Sequence, residues 1–282
     1  MSSTLPRPAS VARHHDHAPQ IEAERVRTWV SRGANFIVCV SEVEAGARLV
    51  RSAQVDEFMV FLPDSAASIS AGDECIDAQA ESLTIVPPGD SEIRVQRAGQ
   101  VVQVFSHRAL DLLALAVNAA DYAEPPPEVA PLAPWPTPAD GWRLRHYRLA
   151  AYTLADSNMR IFRSTNLMLN VMTPRGVARD VTKLSPHSHA DFEQGSLAIR
   201  GQWVHHLRYP WGPDMTAWRA DEALNVASPS LTVIPPRVIH TSRNTNDGGA
   251  WLVDIFAPPR MDFSSKPGKV ANEADYPLPV QS

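Results

Sequence analysis

With 282 residues, 44% of them hydrophobic, the chain is long enough for one large domain or two small ones, each with a buried core. A formal charge of −5, with scattered arginines and no basic block, excludes nucleic acid and anionic membrane surfaces as natural partners. The longest apolar run, Leu112 to Val117, is far too short to span a bilayer, and Cys39 and Cys75 make no disulfide framework.

Taken in chain order, residues 1–25 are mostly polar and are expected to form a mobile arm. The first eight residues carry no apolar h-region, so a cytoplasmic location is expected. Within the arm, His14-His15-Asp16-His17 has the composition of an adventitious metal binder. Residues 26–106 hold short β-branched runs separated by Gly, Pro and Asp turns, as in an antiparallel sandwich or barrel. Residues 107–147 open with a Leu/Ala-rich stretch, Arg108 to Ala120, whose spacing predicts one helix. A proline-rich linker follows, from Asp121 to Pro138, where proline forbids helix and central strand. Residues 148–258 resume the β pattern, and 259–282 form a polar, proline-spaced tail. Apolar residues in the linker and tail (Leu132, Trp135, Tyr276, Leu278) suit docking on a neighbour, so a homodimer is expected.

The chain repeats itself. Ser82-Leu-Thr-Ile-Val-Pro-Pro88 returns as Ser230-Leu-Thr-Val-Ile-Pro-Pro236. Val101-Val-Gln-Val-Phe105 returns as Leu252-Val-Asp-Ile-Phe256, and Asp56-Glu57 before an apolar run returns as Glu193-Gln194. Three matches in one order imply a duplicated β unit.

The copies differ in chemistry. The second contains His187-Ser-His189, then Glu193-Gln194 and Gly201, then Pro235-Pro236-Arg-Val-Ile-His240 and Asn244. Two histidines one residue apart on a strand point the same way, and a third histidine with an oxygen donor completes a set for a divalent metal. Counting in the first copy puts about Arg51 and Ala53 opposite the histidine pair and Glu92 opposite His240. No histidine lies between His17 and His107, so that copy cannot assemble a histidine-rich site. The remaining alternative there is a carboxylate-only site using Glu57 and Glu92.

The pattern H-x-H-x(3,4)-E/Q-x(6)-G followed by P-x(4)-H-x(3)-N resembles the cupin superfamily. The resemblance implies an all-β chain of two tandem jelly rolls, the first degenerate and the second metal-binding. It implies one divalent transition metal, Fe²⁺ or Mn²⁺, with Ni²⁺ or Zn²⁺ as alternatives, held by His187, His189, His240 and either Glu193 or Gln194. Glu193 keeps strand parity with the histidines; Gln194 keeps the family's spacing to Gly201 but needs a bulge. His206 and Asp254 are candidates for catalysis, although only one of His205 and His206 can face inward. Asn244 is expected to close a turn. Trp203, Trp211 and Trp218 suit either a pocket wall or core.

Three functions follow from the resemblance. The first is a metal-dependent dioxygenase acting on a small organic substrate. The second is a redox-neutral isomerase, lyase or aminohydrolase on a sugar acid or ureide, favoured if Gln194 is the ligand. The third is a sensor without catalysis. No G-x-S-x-G nucleophile elbow is present.

Overall fold

The structure is a computed structural model, which describes residues 6–279. Strand β1 (Ser10–Arg13) precedes a first barrel made of β2 (Ile21–Ala23), β3 (Val26–Arg32), β4 (Phe36–Val43), β5 (Arg48–Gln54), β6 (Phe58–Leu62), β7 (Ala66–Ala71), β8 (Glu74–Ala78), β9 (Ser82–Val86), β10 (Gly89–Arg97) and β11 (Gly99–Ser106). One helical turn, α1 (Leu110–Leu113), and the linker lead to β12 (Arg145–Arg148). The second barrel holds β13 (Ile161–Arg163), β14 (Met168–Val171), β15 (Gln194–Arg200), β16 (Trp203–Arg208), β17 (Glu222–Val226), β18 (Ser230–Ile234), β19 (Ile239–Asn244) and β20 (Trp251–Phe256), and a final turn, α2 (Met261–Ser264), opens the tail. No described helix is long and apolar enough to cross a membrane.

Each barrel pairs a large sheet with a small one. The large sheets run β12-β9-β6-β11-β4-β3-β2 and β1-β18-β15-β20-β14-β13. The small ones run β5-β10-β7-β8 and β17-β16-β19. Matching positions show the duplication strand by strand, because β9, β6, β11 and β4 stand in the first large sheet as β18, β15, β20 and β14 stand in the second. Register sharpens the comparison. Phe58 lies opposite Val86 and Gln194 opposite Ile234, so Phe58 occupies the place of Gln194 and Glu57 that of Glu193. The acidic pair is therefore offset by one residue from the match that the sequence suggests.

The large sheets pack against each other, which is why strands such as Phe58-Met-Val-Phe-Leu62 are apolar on both faces. Phe58, Val60 and Leu62 fill the first barrel, while Met59 and Phe61 join Phe36, Leu197, Val233 and Trp251 in a core shared by both barrels. Phe61 meets Trp251 edge-to-face at 5.2 Å.

Four expectations change. Residues 10–13 are not mobile: β1 pairs antiparallel with β18 of the second barrel, buries Ala12 and covers that sheet's edge. Residues 1–5 of the expected arm lie outside the described residues. Conversely β12, placed by sequence just before the second domain, pairs with β9 of the first. The barrels thus exchange edge strands.

The predicted helix over 108–120 shrinks to the single turn α1 and a 3-10 turn at Ala119–Tyr122. Contacts to β3 override local propensity. Val117 N–H donates to Val30 O at 2.9 Å, and Asn118 clamps both backbone groups of Arg32. Finally, the linker and tail dock on their own chain. Leu132 packs against the shared core, Arg163 lies over the Trp135 ring, and Tyr276 is 1% exposed. Of the four residues behind the expected dimer, Leu278 alone stays exposed, at 41%.

Candidate metal centre

His240 stands on β19 facing into the second barrel, 2% exposed. His187 reaches it through an isolated two-residue bridge in which His187 N–H donates to His240 O and His240 N–H to His187 O. Pro186, which has no N–H to offer a ladder, precedes that bridge. His189 follows in irregular chain, stacked on Phe192 at 4.6 Å and edge-on to Phe256. The histidines are brought together as the motif requires, although they do not lie on one regular strand. Their ligating nitrogens lie within 4.8 Å of one another.

Ring orientation is fixed by backbone. His187 Nδ1 and His240 Nδ1 each donate to a carbonyl two residues earlier, Ser185 O and Val238 O, both at 2.9 Å. Each Nε2 lone pair is thereby turned to the centre, the usual outer support of a metal-binding imidazole. Gln194 supplies the oxygen. Its Oε1 lies 2.9 Å from His189 Nε2 and 3.2 Å from His240 Nε2. Ligand atoms about 2.1 Å from a common ion and at right angles are separated by about 3 Å, so these spacings suit a shared divalent cation.

Of the two acidic-motif candidates, the structure places Gln194 at the centre and Glu193 away from it. The chain bends at residues 190 and 191, so strand parity does not carry from His189 to β15. Glu193 points out of the barrel into a clasp with the other half. Its Oε2 accepts from Ala34 N–H at 2.7 Å, its Oε1 from Tyr122 OH at 3.2 Å, and Arg7 pairs with the same oxygen. Gly33 is required there, since a Cβ would sit 2.8 Å from Glu193 Oε2 and 2.5 Å from the Phe36 ring. The first barrel mirrors this arrangement. Glu57 accepts from Thr165 N–H and Oγ1 in the β13–β14 turn and from Tyr276 OH at 2.8 Å. Burial pushes its carboxyl up.

Asp254 on β20 orients Gln194. Its Oδ1 accepts from Gln194 Nε2 at 3.1 Å and from Ser196 Oγ at 3.2 Å, leaving the amide oxygen to face the imidazoles. Burial raises the Asp254 carboxyl to about 6. Of the paired histidines, the inward one is His205, fully buried with Nδ1 2.7 Å from Ser242 Oγ. His206, the sequence candidate, faces the other side of β16 and accepts from Arg243 at 3.3 Å. Parity with Leu207, which pairs with His240, decides it.

Asn244 is buried and holds Val177 O and Asn246 O, closing the turn as expected. Gly201 has φ +95°, the left-handed conformation that the motif's glycine supplies to its turn. Trp203 lines the cavity, whereas Trp211 and Trp218 stack on each other at 4.3 Å on the outside.

The first barrel cannot repeat the centre. Phe58 replaces Gln194 and stacks on Phe105 at 4.7 Å. The Arg51 guanidinium lies over the Phe105 ring, bonded to Gln54 and Asp111. Ala53 is a left-handed residue within β5, its N–H held by Asp90. Glu92 faces outward to Arg48 and Arg94, and Glu57 belongs to the clasp, so no carboxylate site forms there. Among the described residues, the group fit to hold a metal is His187, His189 and His240.

A cavity of about 180 Å³ opens beside this centre. Asn170, Gln194, Asp254, Arg175, Arg179 and Arg260 are among its lining residues. Sequence reasoning missed Ser196 and the arginines. The period-2 offset of Ser196 from Gln194 was a usable signal, while Arg175, Arg179 and Arg260 lie in loops without one.

Burial pushes His189 and His205 down to about 3, and His14 and His240 to about 4. Each imidazole is therefore neutral in the folded chain at pH 7. A depressed folded pKa means that the unfolded chain binds more protons between the ordinary 6.5 and the folded value. The stability these groups contribute is complete above about pH 6.5 and is lost as pH falls towards 4 and then 3. Asp254, raised from 3.8 to about 6, opposes the loss over its own interval. Metal-free protein should show a falling urea midpoint from pH 6.5 to 4; a midpoint constant over that interval would contradict neutral burial of the histidines.

The fold and site define a double-barrel β protein with one three-histidine centre. No family model and no curated protein matches the chain. Solved structures do match. A variant of Bacillus subtilis oxalate decarboxylase aligns at 13% identity over 91% of this chain and 78% of that one, with a TM-score of 0.58. Lactobacillus farciminis oxalate decarboxylase, in a formate complex, aligns at 14% identity over 92% and 88%, with a TM-score of 0.57. The chain shares the two-barrel β fold of these structures, the architecture that the resemblance of its motif implied.

Proposed function

We propose that the chain is a metal-dependent enzyme whose single centre carries out a redox-neutral reaction on a small organic substrate, of the isomerase, lyase or aminohydrolase kind. The observation that carries this reading is the fourth donor: a neutral carboxamide, Gln194, meets His189 and His240, and Glu193 does not. Three neutral imidazoles and an amide oxygen leave the full dipositive charge of a bound ion uncompensated. Such an ion, Mn²⁺ or Fe²⁺ for example, would supply Lewis acidity and open positions for a chelating substrate. The name of the structural neighbours, oxalate decarboxylase, denotes a carbon–carbon cleavage, which belongs to the same class.

The chain's own residues supply the rest. His187, His189, His240 and Gln194 hold the ion; Asp254 fixes the amide. With Oδ1 committed to Gln194 and Ser196, Asp254 Oδ2 has only a 3.5 Å contact to Asn170 and is the atom left to exchange a proton with substrate. Its pKa near 6 suits transfer around neutral pH. Phe192 and Phe256 wall the His189 side against water.

The test is turnover of a panel of hydroxy, keto and ureido acids by Mn²⁺- and Fe²⁺-loaded protein, in air and under argon. Turnover should proceed equally in both. Consumption of O₂ in step with product would overturn the redox-neutral reading in favour of a dioxygenase.

A further inference from the structure

The cavity wall is richer in positive charge than the chain as a whole. The protein carries a formal charge of −5, yet three arginines line this one cavity against a single carboxylate, Asp254, already engaged by Gln194 and Ser196. The three are not equivalent. Arg260 is neutralised: it makes paired contacts of 3.1 and 2.8 Å to Asp262 and packs on the Phe263 ring at 3.7 Å. Arg179 is held only by neutral groups, donating to Ser242 O at 2.7 Å and Ser185 Oγ at 2.9 Å. Arg175 makes no ion pair and no side-chain hydrogen bond among the described residues, though its backbone is fixed by a two-way bridge to Ala250.

Burial first, and then the neighbouring charge of Arg175, push the Arg179 guanidinium below its ordinary value. Two guanidiniums facing one small cavity without a carboxylate partner repel each other and lose hydration. An oxyanion between them removes both costs at once, through charge-assisted hydrogen bonds that a guanidinium forms with a carboxylate in a planar, two-point geometry. Folding alone does not call for this arrangement, because nothing among the described residues uses the Arg175 head group. Ser185 connects the pair to the centre: its Oγ accepts from Arg179 and its carbonyl accepts from His187 Nδ1. The arginine pair and the histidine cluster therefore line one and the same cavity.

We infer that Arg175 and Arg179 form an anchor for a carboxylate of the substrate, separate from the atoms that meet the three-histidine centre. The substrate is then a small organic acid bound at two points, its carboxylate on the arginines and a second oxygen donor at the metal end. This rests on the reading of the histidine centre as the reaction site, and narrows it to a substrate class. The confined volume, about 180 Å³, favours a compact acid over a sugar phosphate or nucleotide.

The probes are succinate and its neutral diamide, titrated calorimetrically into Mn²⁺-loaded and metal-free protein, with metal content measured separately for every variant. Succinate should bind the loaded protein at least about tenfold more tightly than the diamide. Arg175→Gln should erase that preference while metal content stays at one per chain, and Arg175→Lys should restore part of it. Arg175 is the deciding position, since Arg179 also ties loop carbonyls and its loss would disturb them. Equal affinity for succinate and diamide, or succinate binding unchanged in Arg175→Gln, would overturn the anchor. Failure of the histidine centre is distinguishable: the wild-type chain would then bind no metal, while succinate binding to metal-free protein would still depend on Arg175.

Discussion

Alanine at Gln194 should strip the centre of its metal, whereas alanine at the adjacent Glu193 should leave one metal per folded chain. Only Gln194 offers an atom to the cluster, 2.9 Å from His189 Nε2 and 3.2 Å from His240 Nε2. Losing a residue that merely supports a ligand typically costs about 10–100-fold in metal affinity, so loss of the donor itself should exceed about 100-fold. His240→Ala should match Gln194→Ala, because it removes an imidazole whose orientation the backbone at Val238 already fixes. Asp254→Asn should fall within the 10–100-fold interval, since it releases the amide without removing it. Metal analysis after gel filtration, with circular dichroism to verify folding, reads all four. Two results would sink the assignment: unchanged metal content in Gln194→Ala, or loss of metal from a well-folded Glu193→Ala.

Glu193→Ala should reveal itself in stability instead, and Glu57→Ala should do the same from the other half. Each buried carboxylate is the acceptor for a tyrosine hydroxyl and for backbone across the barrel junction. Hydrogen bonds to a charged group contribute about 1.5–3 kcal/mol, and removing one partner of a buried pair costs about 3–5 kcal/mol because the other is stranded. A loss of about 3 kcal/mol is expected for each, the larger at Glu193, where Arg7 loses its buried partner and keeps only the more exposed Glu128. Tyr122→Phe and Tyr276→Phe should each cost about 1 kcal/mol. Urea denaturation at pH 7.5 measures these differences. If both glutamate variants fall within about 0.5 kcal/mol of the parent, as surface changes do, the clasp contributes nothing.

The fold was legible because its signals are periodic. Ser82–Pro88 and Ser230–Pro236 are each a strand plus the turn that follows, and the repetition of both identifies the duplication without any contact being known. The three histidines were legible for a related reason, since spacing along two short segments survives folding. What the sequence could not supply was facing. Choosing Gln194 over Glu193 depended on where the chain leaves the strand after His189, and choosing His205 over His206 depended on which neighbour pairs with His240. Arg51 was recognised as the counterpart of a missing histidine, but its seat over Phe105 came only from the fold. The clasp glutamates were visible as acidic residues entering a strand, yet their partners lie more than 70 positions away. No local pattern encodes such a pairing.

The exchange of β1 and β12 has a consequence for cutting the chain. A single cleavage in the proline-rich stretch around residues 124–138 would leave an amino-terminal fragment whose β1 is still an edge of the other fragment's sheet, and a carboxy-terminal fragment whose β12 is still an edge of the first. The two pieces would be buttoned to each other twice over, with the clasp glutamates between them. A nicked molecule should therefore travel as one particle and keep its histidine centre. Either piece made alone would carry an exposed sheet edge and half of an apolar junction.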